Sequence, residues 1–97
     1  MIRHTVAFRL RHPSGSAEEA AFLADALRLN DIPGVQNFER LKQVSDKNEF
    51  AFGFSMEFAD RTAYDVYNDH PVHTAFVSER WAHEVEAAQE TDYEPIS

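Results

Sequence analysis

An α+β fold, with helices covering one face of a four-stranded antiparallel sheet, is predicted by three observations. Residues 2 to 11 and 50 to 58 alternate large apolar side chains with small or polar ones at period two, the mark of strands with one buried face. Helix-start signals stand between and after them, the capping box Ser16–Glu19 and the capping Asp60. The elements then run β-α-β-β-α-α-β. That order is a ferredoxin-like split β-α-β plan with its second helix broken in two at Asn68–Pro71. At 97 residues the chain makes one domain, 1–97.

In the first strand Ile2, His4, Val6, Phe8 and Leu10 share one face, and Arg3, Thr5, Ala7, Arg9 and Arg11 the other. His4 sits in the middle of the apolar row, so it must find a hydrogen-bond partner or line a cavity. His12-Pro13-Ser14-Gly15 breaks the strand. The first helix runs from the capping box to about Leu29, with Ala20, Leu23, Ala24 and Leu27 as its apolar stripe and Phe22 and Ala26 widening it. Asn30-Asp31 and Ile32-Pro33-Gly34 end it. Residues 35 to 44 read as a second strand of weaker alternation. Phe50, Phe52, Phe54, Met56 and Phe58 form the strongest strand signal, and the small Ala51, Gly53 and Ser55 opposite them predict a second surface in close approach. A short helix carrying Ala63, Tyr64, Val66 and Tyr67 follows Asp60. The next starts at Pro71 and carries Phe76, Val77 and Trp81. Val85, Ala87, Gln89, Thr91 and Tyr93 alternate in a last strand ended by Pro95. Helices enough for one sheet face leave the other bare, which predicts a homodimer.

Composition narrows the function. Apolar residues at 43% and charged residues at 27% suit a soluble globular domain. No apolar run is long enough for a membrane span, and Met1 leads straight into a strand pattern, so no signal peptide is expected. The chain has no cysteine, in keeping with a cytoplasmic protein. Nine basic against seventeen acidic residues give a net charge of −8, which argues against nucleic acid and anionic membranes as partners. The acids Glu79, Glu84, Glu86, Glu90, Asp92 and Glu94 near the end read as a solvated face.

The chemistry concentrates in Tyr67-Asn68-Asp69-His70-Pro71-Val72-His73. Pro71 suits the first position of a helix, with His70 or Asp69 as the cap. His73 then falls in the first turn, where the helix dipole disfavours imidazolium and leaves the neutral imidazole that a general base needs. A plainer account makes Asp69 and His70 caps and His73 a surface residue. His12 and His83 read as surface residues, and Trp81 as core or interface.

The first strand Ile2-Arg-His4-Thr-Val-Ala-Phe8, the Tyr67-x-x-His70-Pro-x-His73 stretch and Asp92-Tyr93 together resemble the stress-responsive dimeric α/β-barrel family over nearly the whole chain. The resemblance implies that the bare sheet faces of two subunits close into a barrel. One branch of that family consists of plant polyketide cyclases, which close a linear polyketide to an aromatic acid by intramolecular aldol condensation. By position its working residues fall on His4, Tyr67 and His73. The resemblance implies His73 as the base, Tyr67 as the group holding a carbonyl oxygen, and His4 orienting substrate or His73. It implies Val6, Phe8, Phe22, Phe76 and His70 around a pocket for a small apolar or aromatic ligand, with no cofactor. Asn68-Asp69 stand where the cyclases are apolar and would wet the mouth.

Three readings follow. A cofactor-independent aldol-type cyclase or lyase needs His4, Tyr67 and His73 in one cavity. A ligand-binding or stress-protective oligomer needs the cavity without a free base. A metal site on His70 and His73, with Asp69 or His4, ranks last because i, i+3 is not the usual helical ligand pair and no third ligand is well placed, so no metal is expected.

Overall fold

The computed structural model of the protein describes residues 1–96; Ser97, the last residue of the expected 1–97 domain, lies outside them. The chain forms β1 (Ile2–Leu10), α1 (Ala17–Asp25), β2 (Gln36–Lys42), β3 (Phe52–Phe58), α2 (Arg61–Asp69), α3 (Pro71–Phe76) and β4 (Val85–Tyr93). Four strands in the order β2-β3-β1-β4, antiparallel throughout, make the ferredoxin-like sheet. No helix among the described residues is long and apolar enough to cross a membrane.

Period-two patterning decides the core. Ile2, Val6, Phe8 and Leu10 from β1 and Phe54, Met56 and Phe58 from β3 are buried together with Phe22, Leu29, Ile32, Tyr64, Tyr67 and Phe76 from the helical layer. Across β1 and β3, His4 lies opposite Met56, Val6 opposite Phe54 and Phe8 opposite Phe52. Aromatic rings fill the centre: Phe8 lies 4.7 Å from Phe54, 5.1 Å from Trp81 and 5.8 Å from Phe22, centroid to centroid.

The helical layer departs from expectation after Asp25. Ser16 caps α1 by accepting from the Glu19 amide, but after Asp25 the chain tightens into a 3₁₀ stretch, Ala26–Asp31. The buried residues are Phe22, Ala26 and Leu29, whereas Ala20, Ala24 and Leu27 of the expected stripe face solvent. Phe22, Ala26 and Leu29 fall at i, i+4 and i+7, so they form a second helical stripe, and this one carries the Phe22 ring into the core.

A side-chain cap starts each of α2 and α3. Asp60 Oδ1 accepts from the Ala63 amide and starts α2. His70, extended at φ −66° and ψ 137°, caps α3 by accepting from the Val72 amide at Nδ1, and Pro71 follows as the first helical residue. Asp69, the other candidate cap, is the last residue of α2. A π-helical turn, Val77–Trp81, and one α turn, Ala82–Glu84, lead into β4.

The terminal acids are not one solvated face. Glu84 meets the His12 ring at 2.7 Å and Arg80 at 3.1 Å, Glu86 meets Arg9 at 2.9 Å, and Glu79 meets Arg28 at 3.6 Å. His12 is therefore half-buried and paired rather than a free surface residue, while His83 is exposed as expected.

Candidate active site

Register puts the site together. β4 runs beside β1 with Asp92 opposite His4, Glu90 opposite Val6 and Ala88 opposite Phe8. Residues directly opposite share a face, so Glu90 and Asp92 turn toward the helices. The alternating set Ala87, Gln89, Thr91 and Tyr93 therefore lies on the bare face.

His4 is 5% exposed. Its Nδ1 lies 2.6 Å from Asp92 Oδ1, and the Tyr64 hydroxyl donates to Asp92 Oδ2 at 2.9 Å. A carboxylate accepts, so Nδ1 carries the proton and donates it, with the Tyr64 oxygen 3.0 Å away as a weaker second acceptor. Nε2, which has no partner among the described residues, is left as the free ring nitrogen. The geometry is the orienting device of a carboxylate–histidine pair: the carboxylate selects the tautomer and the ring direction.

Tyr64 and Tyr67 occupy one face of α2 three residues apart, packed on Phe58 at 5.1 and 5.2 Å. Burial first, and then Tyr64 and Glu90, hold the Tyr67 hydroxyl well above the ordinary tyrosine range. It therefore stays protonated at physiological pH, and no protein group claims it among the described residues. The Tyr67 ring lies 6.1 Å from His4 and 4.4 Å from His73.

His73 Nδ1 lies 3.0 Å from the Asn68 carbonyl, which can only accept, so Nδ1 is protonated and Nε2 holds the lone pair. This bond spans the α2–α3 break. Burial pushes the ring below the ordinary histidine value of 6.5, and the neighbouring His4 acts in the same direction; the Asn68 bond and Glu90 act the other way. The expectation of a neutral His73 holds, but desolvation rather than the helix dipole is its main cause. A lowered value in the fold means that the folded state binds fewer protons than the unfolded chain. This contribution to stability is present above the unfolded value and declines as pH falls through it.

His4, Tyr67 and His73 line one cavity of about 230 Å³ between sheet and helices, with Val6, Phe76 and Glu90 also in its wall. Phe8 and Phe22, expected as walls, stand behind it in the core at 0% exposure. Trp81 comes between, its ring 5.1 Å from Phe8 and 6.2 Å from Phe22, and takes the wall position instead of a purely core one. His70 is not in the wall, because its ring is held by its own helix start. Sequence reasoning gave no role to Tyr64, Glu90 or Asp92, although Asp92-Tyr93 carried part of the family resemblance. No group of three or more His, Asp or Glu side chains suited to a metal occurs among the described residues.

Residues 2–95 match the model of the stress responsive A/B barrel domain. The chain belongs to that family. No curated protein matches it. A barrel-domain family protein with a ferredoxin-like fold from Mesorhizobium loti is 57% identical, with a TM-score of 0.97 over 99% of this chain and 97% of that one. A dimeric protein of unknown function from Bacteroides fragilis, 20% identical, superposes with a TM-score of 0.74 over 96% of this chain and 94% of its own. The hydroxynitrile lyase of Passiflora edulis, 16% identical, does so with a TM-score of 0.82 over 95% and 90%. The last two likenesses establish the shared fold of this A/B barrel chain. Some proteins of that fold are enzymes.

Proposed function

We propose that this A/B barrel protein is a homodimeric, cofactor-independent lyase or aldol-type cyclase acting on a small carbonyl compound of polyketide-like chemistry. One observation carries the reading: a neutral, desolvated His73 shares a cavity with an unclaimed Tyr67 hydroxyl and an oriented His4. His73 Nε2 takes a proton from the carbon α to a carbonyl, and the electron pair of that C–H bond becomes the enolate. Tyr67 donates to the carbonyl oxygen on which charge develops. The enolate carbon attacks a second carbonyl in the same molecule, closing a C–C bond, and the proton on His73 passes to the new alkoxide. Run backwards, the same steps cleave a β-hydroxy carbonyl compound. His4 Nε2 faces the cavity as a second hydrogen-bonding group that orients the guest.

The test is turnover of β-hydroxy ketones and aryl cyanohydrins by the purified protein, followed as carbonyl release. On the acid side kcat/KM is expected to fall with a midpoint below 6.5, since burial keeps His73 neutral to lower pH; a midpoint above that value would assign the base elsewhere. Tyr67→Phe is expected to lower kcat by about 10²–10³ while Kd for an unreactive ketone stays unchanged, because only a hydrogen bond to the developing oxyanion is lost. A ligand that binds His73→Ala as well as the parent, with no substrate turned over by either, would favour the binding-oligomer reading.

The dimer is supported by the bare sheet face, where Thr5, Ala7, Gly53, Ser55 and Thr91 leave a shallow surface beside the exposed Leu41 and Tyr93, and by relatives described as dimeric. A Cβ on Gly53 would lie 3.4 Å from the Val6 carbonyl, so the sheet itself accommodates one. Gly53→Leu is therefore expected to act on the partner, weakening association by about 1–3 kcal/mol through overpacking. Sedimentation at micromolar concentration checks it, and an unaltered dimer would place the interface elsewhere.

A further inference from the structure

We propose that Glu90 is a charge filter at the mouth of the cavity, so that the site admits uncharged or cationic ring-sized ligands and turns away carboxylates. This inference rests on the cavity being the ligand site and adds the class of ligand it takes. Three observations carry it.

The first is placement. Glu90 lies opposite Val6 on the cavity face of β4, lines the cavity, and is exposed on the edge strand. The second is that its charge is unspent. Asp92, two residues on and facing the same way, is occupied by His4 and Tyr64. Glu90 makes no ion pair among the described residues, in contrast to Glu79, Glu84 and Glu86 around it. The third is the wall. The other lining residues include no lysine or arginine, and His73 is held neutral. A carboxylate entering here would meet a fixed negative charge with no cation to receive it. Glu90 acts in the same sense on the two lining groups Tyr67 and His73, favouring the protonated form of each.

Size completes the class. An apolar cavity of about 150 Å³ holds benzene, so about 230 Å³ fits one ring with a short substituent. An aromatic aldehyde, ketone, alcohol, cyanohydrin or amine fits both size and charge. An aromatic acid fits only the size, which separates this site from one that must release an acid product.

The experiment titrates the full-length protein with benzyl alcohol, benzylamine and benzoate at about pH 8, where free imidazoles are neutral. Kd is measured by calorimetry, and ring signals of His4, Tyr67, His73 and Trp81 are followed by NMR. The parent is expected to bind benzyl alcohol and benzylamine at least about tenfold more tightly than benzoate, the order of one partly solvated charge–charge interaction. Glu90→Gln should narrow that gap to within about threefold, and Glu90→Lys should make benzoate the better ligand. Benzyl alcohol carries no charge for Glu90 to meet, so the ratio of benzoate to benzyl alcohol affinity within each protein is the readout, and the circular dichroism and thermal melt of each variant report whether it is folded. Equal affinity for the three probes in the parent, or a benzoate penalty unchanged in Glu90→Gln, would overturn the filter and leave the cavity reading standing. Failure of all three probes to move the four ring signals would overturn both.

Discussion

His73→Ala is expected to lower kcat by about 10²–10⁴, the usual contribution of a positioned general base. The fold should be little affected. His73 is half-buried at the start of α3, and its one polar contact is with the Asn68 carbonyl. Losing that contact frees an acceptor close to water, a smaller matter than losing a core ring. Circular dichroism and thermal melting of the variant should therefore stay near the parent, and an unreactive ketone should still bind. Added imidazole, small enough for the space left behind, should restore part of the rate. A variant that turns over substrate at the parental rate would remove His73 from the chemistry. The free Nε2 of His4 would then be the remaining candidate base, oriented by Asp92 and Tyr64. His4→Ala alone would not separate these roles, because His4 is buried and its loss also takes from Asp92 its ring partner.

The largest effect on stability is expected from Phe8→Ala. Phe8 is wholly buried and sits in van der Waals reach of Phe22, Phe52, Phe54 and Trp81, with centroids at 5.8, 5.9, 4.7 and 5.1 Å. Removing the ring takes away its transfer free energy and leaves a cavity between sheet and helices, at a cost of about 3–5 kcal/mol. For a chain of this size about 4–8 °C of Tm goes with each kcal/mol, so the melt should move by tens of degrees. Leu27→Ala serves as the comparison. Leu27 stands in the same helical layer but is 48% exposed, and its loss should change stability by about 0.5 kcal/mol or less. Denaturant unfolding at fixed protein concentration measures both. A change below about 1 kcal/mol for Phe8→Ala would mean that the aromatic centre relaxes around the gap.

The two variants probe different layers of the molecule, and the sequence exposes those layers unequally. The core is legible because its signal is local: alternation along β1 and β3 shows which side chains turn inward without knowledge of what they meet. His70-Pro71 is legible for the same reason, since a ring without an N–H and a side-chain acceptor state a helix start by themselves. The stripe of α1 is less so. Ala20, Leu23, Ala24 and Leu27 satisfy helical periodicity, yet the 3₁₀ stretch after Asp25 and the volume of Phe22 turn another face inward. Trp81 reaches the cavity wall through a π-helical turn that no spacing rule marks.

The acidic end shows the limit most clearly. Glu90 and Asp92 look like the solvated face of an acidic tail, and the alternating apolar and polar set Val85, Ala87, Gln89, Thr91 and Tyr93 leaves both acids out. Their role depends on register between β1 and β4, strands that lie at the two ends of the chain; His4 and Asp92 are 88 residues apart. A shift of one residue would send both acids to the bare face. The sequence by itself determined the strands, the helix starts after Ser16, Asp60 and His70, and the bare sheet face, because caps and period-two patterns act within a few residues. Only the tertiary structure decided that Asp92 and Tyr64 hold His4, that burial lowers the His73 pKa, and that Glu90 lines the cavity. Desolvation, hydrogen-bond partners and pairing register are properties of surfaces brought together from distant parts of the chain.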